Sequence, residues 1–398
     1  MTLKTEIQNP KLPDLADPSK LPQPTLAPIF SASFKTYPQD FIVNELLDID
    51  FSDTGEHLWL QIQKENMNTA FVAQLLADWA QIPLKDVGYS GIKDRKAQTT
   101  QWFSLRLPKK EVPPLPFNDF MQNQNLNDGE TVAILVQHWH QKKLNRGTHQ
   151  QNQFSIVLRE VNLDGKANES TAKASLLNQL KVIAKSGVPN YFGAQRFGIE
   201  GNNIAAALKI FAKPLSTNTA PENKKPQGKN KKRRPPSPAQ SLAISAARSA
   251  IFNQILAARV IDGSWNRGKS GEIFNLAGSG SIFISENLDD DIKARLIRHD
   301  IHPTGALWGT PSAKSSAAIA DFETEIVKSN ATLTELAAGL ERFEVKSQRR
   351  ALRLTLSDFD ADWLDDNVIQ LSFKLPKGSF ATSVLASFVQ NLAQPLDR

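Results

Sequence analysis

The sequence contains no cysteine in its 398 residues. This absence excludes disulfide bonds, thiolate zinc sites, cysteine-ligated iron–sulfur clusters and a cysteine nucleophile. Long apolar runs are also missing, since no stretch approaches the ~18 residues that a membrane-spanning helix needs. The start of the chain is polar and rich in proline, without the basic flank and apolar centre of a signal peptide. We therefore expect a cytoplasmic protein that does not contact a membrane.

The chain has an excess of positive charge. It contains 47 lysines and arginines against 41 aspartates and glutamates, which gives a formal net charge of +6. Such a balance favours a polyanionic partner such as nucleic acid. The length is sufficient for two ordinary domains, each with its own apolar core.

The apolar residues follow both strand and helix periodicities. Alternating patterns predict strands at DFIVNELLDI, HLWLQIQ, TQWFSLRL, TVAILVQHW, NQFSIVLREV and VIQLSFKL. Helical spacing predicts helices at residues 68–82, 172–186, 241–261 and 323–340, and a last helix at GSFATSVLASFVQNL that closes the chain. This irregular succession is typical of an α+β protein with a mixed sheet rather than regular βαβ winding.

One segment differs in composition from the rest of the chain. Residues 214–241 contain almost no apolar side chains, and seven lysines and arginines lie between Lys224 and Arg234. Such a segment cannot bury enough apolar surface to offset the entropy of ordering, so we predict a disordered basic loop. The loop is either a solvated tether or a contact for RNA phosphates.

Two patterns resemble cofactor or metal motifs but lack the context that the motif needs. GSWNRGKS, at residues 263–270, fits the phosphate-binding pattern, yet a helical pattern precedes it and a glycine-broken, strand-like segment follows. The histidine pairs HWH and HDIH have no carboxylate at a known ligand spacing. We therefore expect neither a nucleotide cofactor nor a metal site.

A single carboxylate, Asp94, lies within the basic cluster of GIKDRKAQTTQWFSL. An acid in this position is usually a surface turn residue. The alternative is a nucleophile whose substrate is polyanionic, and its neighbours Lys93, Arg95 and Lys96 are expected to hold its carboxylate ionised.

GYSGIKDRKAQTTQWFSL resembles the signature of the D family of tRNA pseudouridine synthases. Further blocks resemble that family in the same order along the chain, from about residue 34 to residue 385: FKTYPQDFIVNELL, GEHLWLQIQKENMNT, KKLNRGTHQQNQFSIVLRE, GVPNYFGAQRFGI, ISAARSAIFNQILAARV, LWG and LPKGSFATSVL. The basic loop and the N-terminal arm are longer than is usual in the family.

The resemblance implies an α+β fold with a pseudouridine-synthase-like catalytic core and a mixed, mainly antiparallel sheet. The core is expected to comprise residues 34–186 plus 355–398, interrupted by an inserted α/β domain at residues 187–354 that contains the basic loop 214–241. Residues 1–33 are expected to form a flexible N-terminal arm, with ordered structure beginning near Phe34.

The resemblance also implies the chemistry and the site. Asp94 matches the catalytic aspartate, which acts on a uridine flipped out of its stack. The predicted substrate-binding residues are Phe41, Asn152, Phe154, Phe380, Lys35 and Lys64. For the phenylalanines, packing in an ordinary core is the alternative, and it is strongest for Phe41 and Phe154, which lie inside strand patterns.

The function implied is conversion of uridine 13 in the D arm of certain tRNAs, typically glutamate tRNA, to pseudouridine. This isomerisation needs no redox carrier and no energy source, so no cofactor is expected. The expected partner is tRNA, and we expect a monomer. A non-catalytic RNA-binding or RNA-chaperone protein of the same fold is the alternative. A deaminase or methyltransferase is disfavoured, because no zinc ligands and no glycine-rich cofactor loop are present.

Overall fold

The structure is a computed structural model that describes residues 15, 17–164, 170–213, 237–310 and 317–393. Its nine helices within these ranges are α1 Thr69–Trp79, α2 Phe117–Gln122, α3 Ser170–Ser186, α4 Asn202–Ala212, α5 Pro238–Ile261, α6 Asp290–Ile297, α7 Ala317–Lys328, α8 Ala331–Arg342 and α9 Ala381–Phe388. Short 3-10 helices occupy Pro18–Lys20, Pro38–Asp40, Leu84–Asp86, Ala194–Arg196 and Ile199–Gly201.

The strands are numbered in chain order. They are β1 Ile29–Phe34, β2 Phe41–Leu46, β3 His57–Glu65, β4 Val87–Tyr89, β5 Gln98–Arg106, β6 Thr131–His140, β7 Gln151–Asn162, β8 Val188–Pro189, β9 Glu272–Leu276, β10 Ile282–Ser285, β11 Ile301–Leu307, β12 Gln348–Ala351, β13 Arg353–Leu354, β14 Ser357–Asp365, β15 Val368–Pro376 and β16 Val389–Ala393.

The chain divides into two compact units. One consists of Leu26–Val188 and Thr355–Arg398, and the other of Met1–Thr25 and Pro189–Leu354. The first unit is therefore discontinuous in sequence. We call it the sheet unit and the second the helical unit.

The sheet unit is built on a ten-stranded sheet. Its main order is β14-β15-β7-β2-β5-β3-β6, while β1 pairs with β7 and β16, and β4 pairs with β5. Two pairings are parallel, β1 with β16 and β2 with β5, and the others are antiparallel. The mixed, mainly antiparallel sheet with helices confirms the predicted α+β class.

Helix α1 covers part of this sheet. Its apolar stripe of Val72, Leu76 and Trp79 packs in one cluster with Leu60 and Phe103 from β3 and β5. Burial of these side chains supplies most of the driving force for this layer, at roughly 1.5–3 kcal/mol for each fully buried large side chain. Asn68 holds the predicted N-cap position, but its side chain makes no capping hydrogen bond.

The helical unit is centred on α5. Ser237 caps this 24-residue helix by accepting a hydrogen bond from the Gln240 backbone N–H, and Pro238 occupies its first turn. Its buried side chains run from Ala243 to Val260 and are mostly alanine and isoleucine. Helices α4, α7 and α8 and strand β11 pack around it. A four-stranded sheet of order β10-β9-β11-β12 completes the unit.

Four boundaries differ from the sequence predictions. Ordered structure begins before Phe34, because β1 starts at Ile29 and pairs with two strands. The C-terminal end of the predicted basic loop is helical, since α5 starts at Pro238. The rest of that loop, residues 214–236, lies outside the described residues, as do residues 1–14 and 16 of the predicted N-terminal arm. The helical pattern at 323–340 is two helices, and Asn330 caps the second by accepting from the Leu333 N–H.

The predicted C-terminal helix is also too long. It ends at Phe388, and Val389–Ala393 forms strand β16, which pairs in parallel with β1. Pairing along the sheet edge therefore overrides helical periodicity in the last turn. Among the described residues, no helix combines the length and apolarity that crossing a membrane requires.

Candidate active site

Asp94 lies on the connection between strands β4 and β5. These two strands pair antiparallel, so the connection reverses the direction of the chain between them. Buried side chains hold its backbone in place: Thr69 Oγ1 accepts from the Lys93 N–H at 2.9 Å, and Gln101 Nε2 donates to the Gly91 carbonyl at 3.2 Å. Thr69 in turn donates to Gln101 Oε1 at 3.0 Å. We call residues 90–97 the Asp94 loop.

Two lysines from other strands and turns contact Asp94. Lys35 Nζ is 3.6 Å from the carboxylate Oδ2. Lys64 Nζ donates to the Asp94 main-chain carbonyl at 2.7 Å. The Asp94 side chain is 33% exposed, so the carboxylate lies next to positive charge and reaches solvent.

Lys64 is fully buried, although it carries an amine. Burial lowers the pKa of Lys64 to about 8, and the charge of Asp94 opposes that shift while Lys93 adds to it. Lys64 lies opposite Thr99 in the β3–β5 ladder, which directs its side chain under the Asp94 loop. In this arrangement it supports the Asp94 loop and has no surface to offer a phosphate.

The sequence neighbours of Asp94 have other partners. Lys93 Nζ donates to Glu45 Oε2 and to Asn152 Oδ1, at 2.8 Å in each case. Arg95 Nη2 lies 3.4 Å from Glu130 Oε1. Lys93 and Arg95 therefore pair with other carboxylates, while Lys35 pairs with Asp94. That Lys93, Arg95 and Lys96 keep the Asp94 carboxylate ionised stays a prediction.

A buried network extends from the Lys93–Glu45 pair. Glu45 Oε1 accepts from the Trp102 N–H at 3.3 Å, and His149 Nδ1 lies 3.8 Å from Glu45 Oε2. Ser90 Oγ is 2.6 Å from the same His149 nitrogen and accepts from the His149 backbone N–H. Burial, with the charge of Lys93, lowers the pKa of His149. The network joins Ser90 and Lys93 of the Asp94 loop to Glu45 on β2, and Lys93 also to Asn152 on β7.

The register of the sheet explains how these side chains meet. Glu45 lies opposite Asn152 in the β2–β7 ladder, so the two side chains are neighbours and the Lys93 amine contacts both. A lysine only donates, which means that Asn152 presents its carbonyl oxygen to Lys93 and its amide nitrogen remains the donating end. Asn152 is half-buried and is the polar member of the predicted substrate set nearest to Lys93.

Phe41 and Phe154 form the apolar floor beside this network. Their ring centroids are 6.0 Å apart, and Phe154 stacks on Phe373 at 5.5 Å. Lys35 Nζ lies 4.1 Å from the centroid of Phe41, a cation–π contact that adds to its ion pair. Phe41 is 3% exposed and Phe154 is 6% exposed, which agrees with the core packing considered as their alternative.

Phe380 occupies a different position from the other two phenylalanines. It is half-buried and immediately precedes helix α9. Strand β15 leads to it, and Leu375 near the end of that strand lies opposite Asn152. Phe380 is thus carried to the Asn152 end of the sheet by the β7–β15 pairing. Its role as a substrate contact remains a prediction.

The residues that the sequence analysis did not assign to the site are Ser90, Thr69, Gln101 and His149. All four fall within the family-like blocks, which is the one signal that pointed to them. In the sequence, Thr69 lies at the start of a predicted helix and Gln101 lies in a predicted strand. Only tertiary packing brings their side chains together.

The phosphate-binding pattern at residues 263–270 lies outside this site. It follows helix α5 and precedes strand β9, the reverse of the order that the motif requires. Lys269 forms an ion pair with Asp262 at 2.7 Å. Within the described ranges, no three histidine or carboxylate side chains converge as a metal site would require.

Comparison with known proteins assigns the chain to a family. The model of tRNA pseudouridine synthase D (TruD) matches residues 25–213 and 229–388. A Psychrobacter arcticus protein named tRNA pseudouridine synthase D is 50% identical over 404 residues, covering 98% of each chain. A protein of the same name from Xanthomonas campestris strain B100 is 40% identical and covers 93% of this chain and 95% of its own.

The chain belongs to the tRNA pseudouridine synthase D family. The family resemblance of the Asp94 block and its companions is thus confirmed, and the chain is a pseudouridine synthase, an isomerase. A solved structure of a Methanosarcina mazei protein, named as a candidate tRNA pseudouridine synthase D, superposes with a TM-score of 0.66 at 22% identity and covers 96% of this chain and 98% of its own. At that identity, the similarity supports the fold alone.

Proposed function

We propose that the chain converts uridine 13 in the D arm of certain tRNAs, with glutamate tRNA the typical case, to pseudouridine. Asp94 is the nucleophile and acts on a uridine that has left its stack. The observation that carries this proposal is the environment of Asp94: a carboxylate beside Lys35, reaching solvent, on a loop whose backbone is tied to buried side chains. The names of the relatives supply tRNA as the substrate class.

The reaction balances without a co-reactant. The N1–C1′ bond of uridine breaks, the base turns, and a bond forms between C5 and C1′. The hydrogen on C5 then leaves to water as a proton. N1, which keeps the electron pair of the broken bond, takes up a proton from water, so the composition of the nucleotide is unchanged. Asp94 assists by attack at C1′, by attack at C6 of the ring or by removal of a sugar proton, and Lys35 stabilises its carboxylate in each case.

Two further residues are assigned roles toward the flipped base. The amide nitrogen of Asn152 donates to a uracil carbonyl oxygen, because Lys93 occupies its own carbonyl oxygen. Phe380, which retains exposed surface, stacks on the ring. Phe41 and Phe154 hold Lys35 and the adjacent sheet in position from below.

We assign catalysis to the sheet unit, which contains every residue named above. The predicted domains correspond to residues 34–186 plus 355–398 for catalysis and 187–354 for the inserted part. Lys64 is assigned to the support of Asp94 rather than to a direct substrate contact. A cytoplasmic monomer is the form in which the enzyme acts on tRNA.

The proposal is tested with unmodified tRNA carrying tritium at uridine C5. We expect the wild-type protein to release tritium to water and to yield pseudouridine mapped at position 13. Asp94→Asn keeps the size of the side chain and removes its charge, so turnover should fall by about three orders of magnitude or more while tRNA affinity stays within about twofold.

Asp128→Asn, an exposed aspartate of the sheet unit, serves as the matched control and should leave turnover unchanged. Turnover of Asp94→Asn near the wild-type level would remove Asp94 from the mechanism. Tight tRNA binding by the wild type without tritium release would favour the non-catalytic RNA-binding alternative. Pseudouridine at another position would correct the assignment to uridine 13.

A further inference from the structure

Ile92 is an exposed apolar side chain next to the nucleophile. It is 76% exposed and lies two residues before Asp94. The side chain between them, Lys93, is buried and points to Glu45 and Asn152. Ile92 and Asp94 therefore flank an inward-pointing lysine, and both reach the surface of the Asp94 loop.

Hydrogen bonds to buried side chains hold the backbone on both sides of Ile92. The Gly91 carbonyl accepts from Gln101, the Lys93 N–H donates to Thr69, and the Asp94 carbonyl accepts from Lys64. All three partners are buried. The exposure of Ile92 is thus a property of an anchored loop, and its position relative to the Asp94 carboxylate is set by the same bonds.

A single exposed isoleucine is ordinary on a protein surface. The position of Ile92 distinguishes it, because it lies beside the charged side chains of Asp94, Lys35 and Arg95. An RNA substrate presents phosphates and base faces to such a surface. Of these, only the base faces suit an aliphatic side chain.

A flipped nucleotide leaves a gap between its former neighbours in the stack. Unstacking is unfavourable, and proteins that distort nucleic acids offset this cost by inserting an apolar side chain between bases. We propose that Ile92 is this wedge: it enters the gap that the target uridine leaves and contacts the faces of the flanking bases while Asp94 meets the extruded nucleotide. The inference rests on the proposed function.

Flipping is measured by placing 2-aminopurine beside the target uridine in a full-length tRNA transcript and recording its fluorescence on mixing with enzyme. We expect Ile92→Ala to reduce the fluorescence rise and to slow single-turnover modification by roughly ten- to fifty-fold, as expected when a few methylene-sized groups are no longer buried. Ile92→Leu should retain most of both signals. The melting temperature should be unchanged, since the side chain is exposed in the free protein.

A second transcript separates the wedge from a general contact. It carries an abasic site next to the target, so that less stacking must be broken. On this transcript the modification rates of Ile92→Ala and wild type should differ by about twofold or less. Val182→Ala, an exposed apolar residue on helix α3, is the matched control and should behave as wild type on both transcripts.

The outcomes distinguish this inference from the proposed function. Asp94→Asn should lose turnover on both transcripts and keep the fluorescence rise, whereas Ile92→Ala should lose the fluorescence rise. Wild-type fluorescence and rate in Ile92→Ala would overturn the wedge, as would equal rate losses on the two transcripts. If wild type leaves the abasic transcript unmodified, the fluorescence comparison alone decides.

Discussion

At the scale of single residues, the charge around Asp94 comes from distant parts of the chain. Lys35 reaches the carboxylate, and Lys64 reaches the main-chain carbonyl from below. Lys35 adopts a left-handed backbone conformation with φ of 59°, which is unfavourable for a residue with a side chain. The ion pair and the cation–π contact with Phe41 offset that strain.

Lys64 makes the stability of the protein depend on pH in a defined direction. Its pKa is about 8 in the folded protein and about 10.5 in the unfolded chain. Between these pH values the unfolded chain binds a proton that the folded protein does not bind. The free energy of unfolding therefore rises with pH from 8 to 10.5 through this residue, and the gain is lost as pH falls through 8.

The prediction is tested by comparing wild type with Lys64→Met in denaturant unfolding at pH 7, 8.5 and 10. Between pH 7 and pH 10, the free energy of unfolding of the wild type should rise relative to that of the variant by roughly 1–3 kcal/mol. Lys181 is an exposed lysine on helix α3. For Lys181→Met, the difference from wild type in the free energy of unfolding should be the same at all three pH values. A constant difference for Lys64→Met would mean that Lys64 titrates alike in both states.

At the scale of elements, strand register assembles the site. Lys64, Thr99, Val43, Phe154 and Phe373 lie opposite one another in turn across β3, β5, β2, β7 and β15. Directly opposed residues share one face of a sheet. The row therefore places the lysine under Asp94 and the phenylalanines beside it on the same face.

The packing of helix α8 on helix α4 depends on Gly339. A Cβ atom at this position would lie 2.2 Å from a ring carbon of Phe211. Alanine is favoured over glycine within a helix by about 1 kcal/mol, but overpacking costs about 1–3 kcal/mol. We expect Gly339→Ala to lower the free energy of unfolding of the helical unit by about 1–2 kcal/mol, measured by denaturant unfolding.

Gly280→Ala is the matched control, because no atom lies within 4 Å of its Cβ position and it has no left-handed backbone. Its effect should stay within about 0.5 kcal/mol. Combining Gly339→Ala with Phe211→Leu should recover part of the stability. A variant more stable than wild type would show that the helices separate without cost.

At the scale of the whole molecule, the sheet unit is assembled from two segments that are far apart in sequence. Strand β7 pairs with β2 near the start of the chain and with β15 near its end. The larger segment of the helical unit, Pro189–Leu354, lies between these segments in sequence. Within it falls the basic segment of residues 224–234, which has no large apolar or aromatic side chain.

The charge of this segment is tested by replacing its seven lysines and arginines with glutamine. The formal net charge then falls from +6 to −1. Because Ser237 is retained, helix α5 keeps its cap, and the melting temperature should not change. We expect weaker tRNA affinity at low salt, and the slope of log affinity against log salt should flatten by about 0.7–0.9 for each phosphate that the segment neutralises in the wild type.

A small D-arm hairpin that cannot reach the segment should be modified at the wild-type rate by this variant. Affinity curves that superimpose for the variant and the wild type, from low to physiological salt, would show that the segment is a solvated tether. The effect should also be largest at low ionic strength, where screening is weak.

The sequence by itself determined most of the elements, the α+β class and the family. Periodicity predicted β3, β5, β7 and α5, because side chains spaced along one element report its buried face. The Asp94 block was recognisable because its residues are contiguous. Local patterns misjudged the two ends of the chain, where β1 and β16 are ordered by pairing with each other rather than by their own propensity.

Only the tertiary structure decided which charges meet. Arg95 and Lys93 adjoin Asp94 in sequence and pair elsewhere, while Lys35 and Lys64 arrive through the sheet. The physical reason is that an ion pair depends on distance in space and on burial, which strand register sets across the ladder. Sequence spacing constrains such contacts only within one helix or strand.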